Sequence, residues 1–210
     1  ISERKRRRVD EKLPTYAQAW RLEKPLLRYV NSVPAEFSKA AKADIELAVA
    51  RFCEHRFDLL GSGWIEVRHG MKCRGVEGFS YDHGKAVAYD TRGNWLCGRI
   101  NTPNLIEAQR VWSLIDGDYQ PIDWHLDFKT GFRWAENTWY QEIEYPRVPG
   151  ADIKAPWELS RMQHLPQFAF AFQLGISPEK CKREFRNQIL DFIAANPPRF
   201  GVNWTCTMDV

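Results

Sequence analysis

Between residues 152 and 198 the chain carries enough helix punctuation to leave one local topology. Asp152 and Pro156 open a helical segment, and Gly175 closes it after Leu174, because glycine takes the left-handed position past a helix end at little cost. Ser177 then precedes Pro178, pairing an N-cap residue with a first-position proline whose missing N–H has no helical partner in any case. The apolar positions Cys181, Phe185, Ile189, Phe192 and Ile193 recur at three- and four-residue intervals, and Asn196-Pro197-Pro198 stops the run. Two helices joined by a tight Gly-Ile-Ser-Pro turn are expected to lie antiparallel, as an αα-hairpin. Further hairpins of the same kind can share packing without sharing letters.

The rest of the chain falls into two zones. Residues 14–60 read as helical: Pro34 stands where a helix can begin, and Phe37, Ala41, Ile45, Ala48, Val49 and Phe52 keep a helical period. This helix is expected to fade near Leu59-Leu60, before Gly61-Ser62-Gly63. Residues 61–150 change character, with eight of the thirteen glycines between Gly61 and Gly98 and an alternating Trp64-Ile65-Glu66-Val67. Only Asn104 to Ile115 reads as helix there, with Asn104 as its cap. Trp124, Trp134, Trp139 and Tyr140 crowd the end of the zone. Residues 61–150 are therefore read as an excursion packed onto the helices by aromatic anchors, within one domain spanning residues 1–210. After Gly201 the segment NWTCTMDV starts as another helix, with no stop signal before Val210, as in a chain cut inside an element.

Charge and cysteine content exclude several functions. The formal net charge is +3, but residues 1–8 hold five Lys/Arg and one Glu; the remaining 25 Lys/Arg and 26 Asp/Glu leave residues 9–210 at −1. The basicity belongs to a terminal run, and no basic face with interleaved aromatics is present to hold nucleic acid. The richest apolar run, Phe168 to Leu174, is far short of the roughly 20 residues that cross a bilayer. Five scattered cysteines show no close ligand spacing, so no metal site is expected; the odd count leaves room for one or two disulfides, and buried free thiols are the simplest state. No GxSxG, Walker, GxGxxG, HExxH or EF-hand pattern occurs, and no cofactor is called for.

The densest candidate for chemistry is the segment from Asp152 to His164. On one continuous helix Trp157, Arg161 and His164 would share a face, with Glu158 placed to orient the Arg161 guanidinium. An indole stacks against a sugar ring, and a guanidinium pairs with a carboxylate in bidentate fashion. The same spacing also fits a buried Glu–Arg pair beside a Trp and a His at a helix interface. Pro166 is expected to kink the helix. The second candidate is Gly201, Asn203 and Trp204, followed by Asp209, where Asn203 can cap the helix after it.

At these two motifs the chain resembles the heparinase II/III-like family of polysaccharide lyases. The run DIKAPWELSRMQHLPQFAFAFQLG and the later NPPRFGVNWTCTMDV resemble that family's N-terminal helical part, through Lys154, Trp157, Glu158 and Arg161, then Gly201, Asn203 and Trp204. The resemblance implies a mainly α fold: an incomplete α/α toroid of helical hairpins, here with a Gly/Trp-rich irregular or short-strand middle segment. In full members an antiparallel β-sheet domain follows. It implies eliminative cleavage of uronic-acid polysaccharides, heparan-type or alginate-like, without a metal, and a periplasmic or secreted location. In that chemistry a base takes the proton beside a neutralised carboxylate and a Tyr or His handles proton transfer.

The family's acid and base groups lie further along the helical domain than the GVNW segment. The catalytic residues are therefore expected beyond Val210, and residues 1–210 alone are expected to be inactive. Trp157, Glu158, Arg161, His164, Asn203, Trp204 and Asp209 carry over as groove-lining or supporting residues. Apolar surface is expected where further helices would pack. The rival is a non-catalytic domain that binds acidic carbohydrate, or serves as a scaffold, on the same frame; a third possibility is that the motifs only build the hairpin core.

Overall fold

A computed structural model describes residues 39–82, 86–145 and 147–206. The basic run at residues 1–8, the helix start at Pro34 and Phe37, and Asp209 lie outside the described residues. The described part is mainly helical. In chain order it contains α1 (Lys39–Phe52), the strand pair β1 (Arg56–Phe57) and β2 (Ile65–Glu66), α2 (Thr102–Trp112), α3 (Lys154–Ser160), α4 (Leu165–Gln173) and α5 (Pro178–Ala195). Short 3₁₀ turns lie at Asn94–Leu96, Tyr140–Glu142 and Val202–Thr205.

The αα-hairpin forms as α4 and α5. Gly175 is left-handed at φ +74, its N–H bonds Phe172 O and Ile176 N–H bonds Ala171 O, the paired closure of a glycine-terminated helix. Ser177 is also left-handed, and its side chain makes no cap hydrogen bond, so the expected N-cap is one of position only.

Several boundaries differ from the sequence expectation. Helix α1 ends at Phe52, several residues before Leu59, because His55 turns left-handed (φ +52) and the chain pairs instead, Arg56 with Glu66 and Phe57 with Ile65. Helix α2 starts at Thr102 rather than at Asn104: Pro103 occupies its first turn, and the buried Asn104 donates its side-chain N–H to Asn101 Oδ1 at 3.0 Å. The single helix expected across Pro166 is two helices. Met162 is left-handed (φ +51), Leu165 N–H bonds Met162 O at 2.9 Å, and Pro166, lacking an N–H, sits in the first turn of α4. The segment after Gly201 is a 3₁₀ turn with Cys206 extended behind it, so no α-helix runs from Asn203 through Cys206.

Helix α5 is flanked by two apolar clusters. One joins Val49 and Phe52 of α1, Phe57, Ile122, Trp124, Leu126, Phe128, Leu159 of α3 and Phe168 of α4 against Cys181 and Ala195. The other gathers Trp95, Leu96, Ile100, Val111, Trp112, Ile115 and Tyr119 against Ala194. The glycine-rich middle is bound to the helices by aromatic contacts, as in Trp124 edge-on to Phe192 with ring centroids 5.3 Å apart.

Candidate functional site

The two motifs fold onto each other. Trp157, on α3, donates its indole N–H to Val202 O at 3.1 Å, across 45 residues of sequence. Its ring meets Tyr145 edge-on at 5.8 Å, and the 202–205 turn packs on α3. Arg161, which ends α3, bonds Glu158 Oε1 at 2.5 Å, and both side chains are about a quarter exposed (26 and 21%). Trp157 and Trp204 are half-buried. Trp157, Glu158, Arg161 and the 202–204 turn thus form one partly exposed aromatic and charged region.

His164 is not part of it. The break between α3 and α4 turns this residue into the core, where its ring lies 4.9 Å from Phe57 and 5.3 Å from Phe52, and Nε2 bonds Gln188 Oε1 at 2.7 Å. Burial, only partly offset by that bond, pulls its pKa down from 6.5 to about 4. Asn203 is also interior and does not cap the turn: its Nδ2 donates to Trp124 O at 3.0 Å and Asn196 Oδ1 at 2.7 Å. Gly201 (φ +84, ψ 168) precedes it, with His125 so close that an added Cβ would stand 2.5 Å from Cε1.

A second polar centre was not legible as such in the sequence. Helix α5 buries Glu184, Asn187, Gln188 and Asp191, while Phe185, counted in the apolar stripe, is 37% exposed. Each buried polar side chain has a partner. Glu184 Oε2 lies 3.3 Å from His55 Nε2, Asn187 donates to Asp116 Oδ2 at 2.9 Å, and Gln188 Nε2 donates to Phe52 O at 3.1 Å. Asp191 Oδ2 accepts from Tyr119 Oη (2.9 Å), Ile122 N–H (2.9 Å) and Trp124 Nε1 (3.1 Å). Full burial raises the Asp191 pKa to about 6 against the pull of those donors. The signal in the sequence was polar residues at i, i+3, i+4 and i+7 on a helix between two others.

A third centre is structural. Asp123 is fully buried, with Arg133 Nε at 2.8 Å and His69 Nδ1 at 3.3 Å; Arg133 also binds Glu136, which takes Arg99 at 3.2 Å. Burial alone would raise the Asp123 carboxyl, but His69 and Arg133 outweigh it and hold it well below the usual carboxylate range. Glu136 falls to about 2 in the same way, its burial outweighed by Arg133.

All five cysteines are free, but only Cys181 and Cys206 are buried and Cys97 is exposed, against the expectation of buried thiols; burial pushes Cys53 up to about 12 and Cys73 to about 11, which makes these two poor nucleophiles. Among the described residues no group of three or more His, Cys, Asp or Glu could hold a metal ion, and no helix is long and apolar enough to cross a membrane. No protein-family model, curated protein or solved structure matches the chain.

Proposed function

We propose that this chain is the N-terminal helical part of a polysaccharide lyase that cleaves uronic-acid-containing polysaccharide by β-elimination, built on an incomplete α/α toroid. The observation that carries the reading is the Trp157–Val202 hydrogen bond: the two segments that resemble the heparinase II/III-like family fold into one unit. That unit presents Trp157 as a stacking surface and Arg161, oriented by Glu158, as a partner for a uronate carboxylate. Its work is to bind and orient the sugar, while proton transfer belongs to residues beyond Val210.

A second reading, a scaffold or non-catalytic binder of acidic carbohydrate, is favoured by two of the carried-over groove residues, His164 and Asn203, being used in internal hydrogen bonds. The one imidazole of the motif is turned into the core and bonded to Gln188, away from any sugar.

Heparan-derived and alginate oligosaccharides, titrated into the 1–210 chain with Trp fluorescence as readout, test the shared part of both readings. Binding is expected, weakened roughly ten- to a hundredfold by Arg161→Ala, since a hydrogen bond to a charged group contributes about 1.5–3 kcal/mol. No unsaturated uronate is expected among the products. Wild-type chain that ignores both sugars sinks the carbohydrate reading; unsaturated product from residues 1–210 overturns the placement of the proton-transfer groups.

A further inference from the structure

An open cleft of about 540 Å³ lies between the end of α1, the β1–β2 hairpin, the 118–120 loop and the first half of α5, and neither Trp157, Arg161 nor Trp204 lines it. Its volume falls within the roughly 300–1,000 Å³ typical of small-molecule sites.

The floor is already fixed. His55 is buried and left-handed, a backbone conformation that residues with a side chain seldom adopt and that recurs at binding sites. Its ring is held between Glu184 Oε2, 3.3 Å from Nε2, and the Tyr119 ring, with centroids 4.9 Å apart. Tyr119 is in turn pinned through its hydroxyl to Asp191. Packing and hydrogen bonds thus orient this imidazole before any ligand arrives.

The cations of the walls are exposed by contrast. Arg56 and Arg68 come from the hairpin side and Lys180 and Arg183 from α5, so cations face the cleft from different elements. Their carboxylate neighbours hold them loosely. Arg56–Glu54 and Arg183–Asp118 are 3.8 Å apart, beyond hydrogen-bonding distance, and Arg68–Glu66 is an exposed pair at 3.3 Å. Exposed pairs of this kind hold their geometry weakly, so a guanidinium can turn onto a ligand. Four carboxylates (Glu54, Glu66, Asp118 and Glu184) balance the four cations; Glu184 and Asn187 are buried and bonded to His55 and Asp116, and Glu54, Glu66, Asp118 and the Gln120 amide are the exposed polar groups.

A densely charged polyanion gains little from a lining whose charges cancel. A small ligand with one negative charge and many hydroxyls uses both halves: guanidinium for its anion, carboxylates and amides for its hydroxyls. The geometry points to this cleft as a binding site for a small polyhydroxylated monoanion of the sugar-acid class, separate from the Trp157 face. The inference rests on the lining of the cleft and not on the lyase reading.

Isothermal titration calorimetry of the full 1–210 chain with glucuronic acid, glucose and inorganic sulfate tests it. One glucuronate per chain is expected, with glucose and sulfate each at least tenfold weaker. Arg183→Ala and Arg68→Ala, both at exposed positions, are expected to weaken glucuronate at least fivefold while keeping the wild-type melting curve. Arg110→Ala, an exposed cation that does not line the cleft, is expected to leave it unchanged. No binding of glucuronate at millimolar concentration overturns the proposal. Sulfate binding as tightly as glucuronate makes the cleft an oxyanion site and overturns the ligand class. Loss of binding through Arg161→Ala alone moves the site to the Trp157 face and overturns the cleft, leaving the carbohydrate reading intact.

Discussion

The imidazole of His164 donates to Gln188 Oε1 inside the core, and its hydrogen bond and its titration can be measured separately. His164→Phe keeps an aromatic ring but strands a buried acceptor, which costs about 1–3 kcal/mol at neutral pH. Because the folded pKa is lowered from 6.5 to about 4, the unfolded chain binds this proton first as pH falls. The wild type therefore loses this contribution between pH 6.5 and 4, and the variant does not. Urea unfolding at pH 7 and pH 4.5 should show the gap between the two proteins narrowing with acid; a constant gap would mean that His164 is solvated. Gly201 tests a different constraint. Its φ of +84 with ψ 168 is a glycine conformation, and a Cβ would meet His125 at 2.5 Å. Gly201→Ala is expected to cost about 3 kcal/mol or more, read as a fall in denaturation midpoint.

At the scale of the element, the α4–α5 turn holds two left-handed residues in three, Gly175 and Ser177. Ser177 is exposed and its hydroxyl caps nothing, so Ser177→Gly removes strain without removing a contact. After the extra flexibility that glycine adds to the unfolded chain, a gain of about 0.5–1 kcal/mol is expected. Gly175→Ala is the counterpart: nothing lies within 4 Å of the new Cβ, so only the conformational cost of about 1 kcal/mol remains. Chemical denaturation of the pair should give opposite signs. Equal signs would place the turn in another geometry. The α3–α4 break belongs to the same scale. Met162 takes the bend that Pro166 enforces, and that bend separates His164 from Trp157 and Arg161.

Across the whole described chain, one charge network ties together distant segments through His69, Arg99, Asp123, Arg133 and Glu136. Removing the central cation leaves Asp123 as a buried charge with His69 and the His125 backbone N–H beside it. Arg133→Ala is therefore expected to cost about 3–5 kcal/mol. The same network sets the acid limit of the fold. Asp123 and Glu136 titrate below their ordinary values of 3.8 and 4.5, so their contribution is present above about pH 4.5 and is lost as pH falls below it. Circular dichroism during acid titration should show unfolding in that range. In Arg133→Ala it should start at higher pH; an unchanged acid midpoint would show that the network does not carry this stability.

The sequence by itself determined the elements whose signals are local. The glycine, serine and proline around residues 175–178 are enough to end one helix and start the next, because backbone conformation at those positions depends on the residue itself. Glu158 and Arg161 were legible as a pair for the same reason, being one helical turn apart. What only the tertiary structure decided is which side of α5 faces inward. Glu184, Asn187, Gln188 and Asp191 go inside and Phe185 stays out because His55, Asp116, Phe52 O and Tyr119 meet those polar groups there, and these partners come from remote parts of the chain. Hydrophobic periodicity orients a helix only when apolar burial is the strongest term. Cys181, Phe192 and Ile193 do pack on the two clusters as their spacing says, while partnered polar groups share the interior and Phe185 is left out; a hydrogen bond across 129 residues, as between His55 and Glu184, leaves no trace in local spacing.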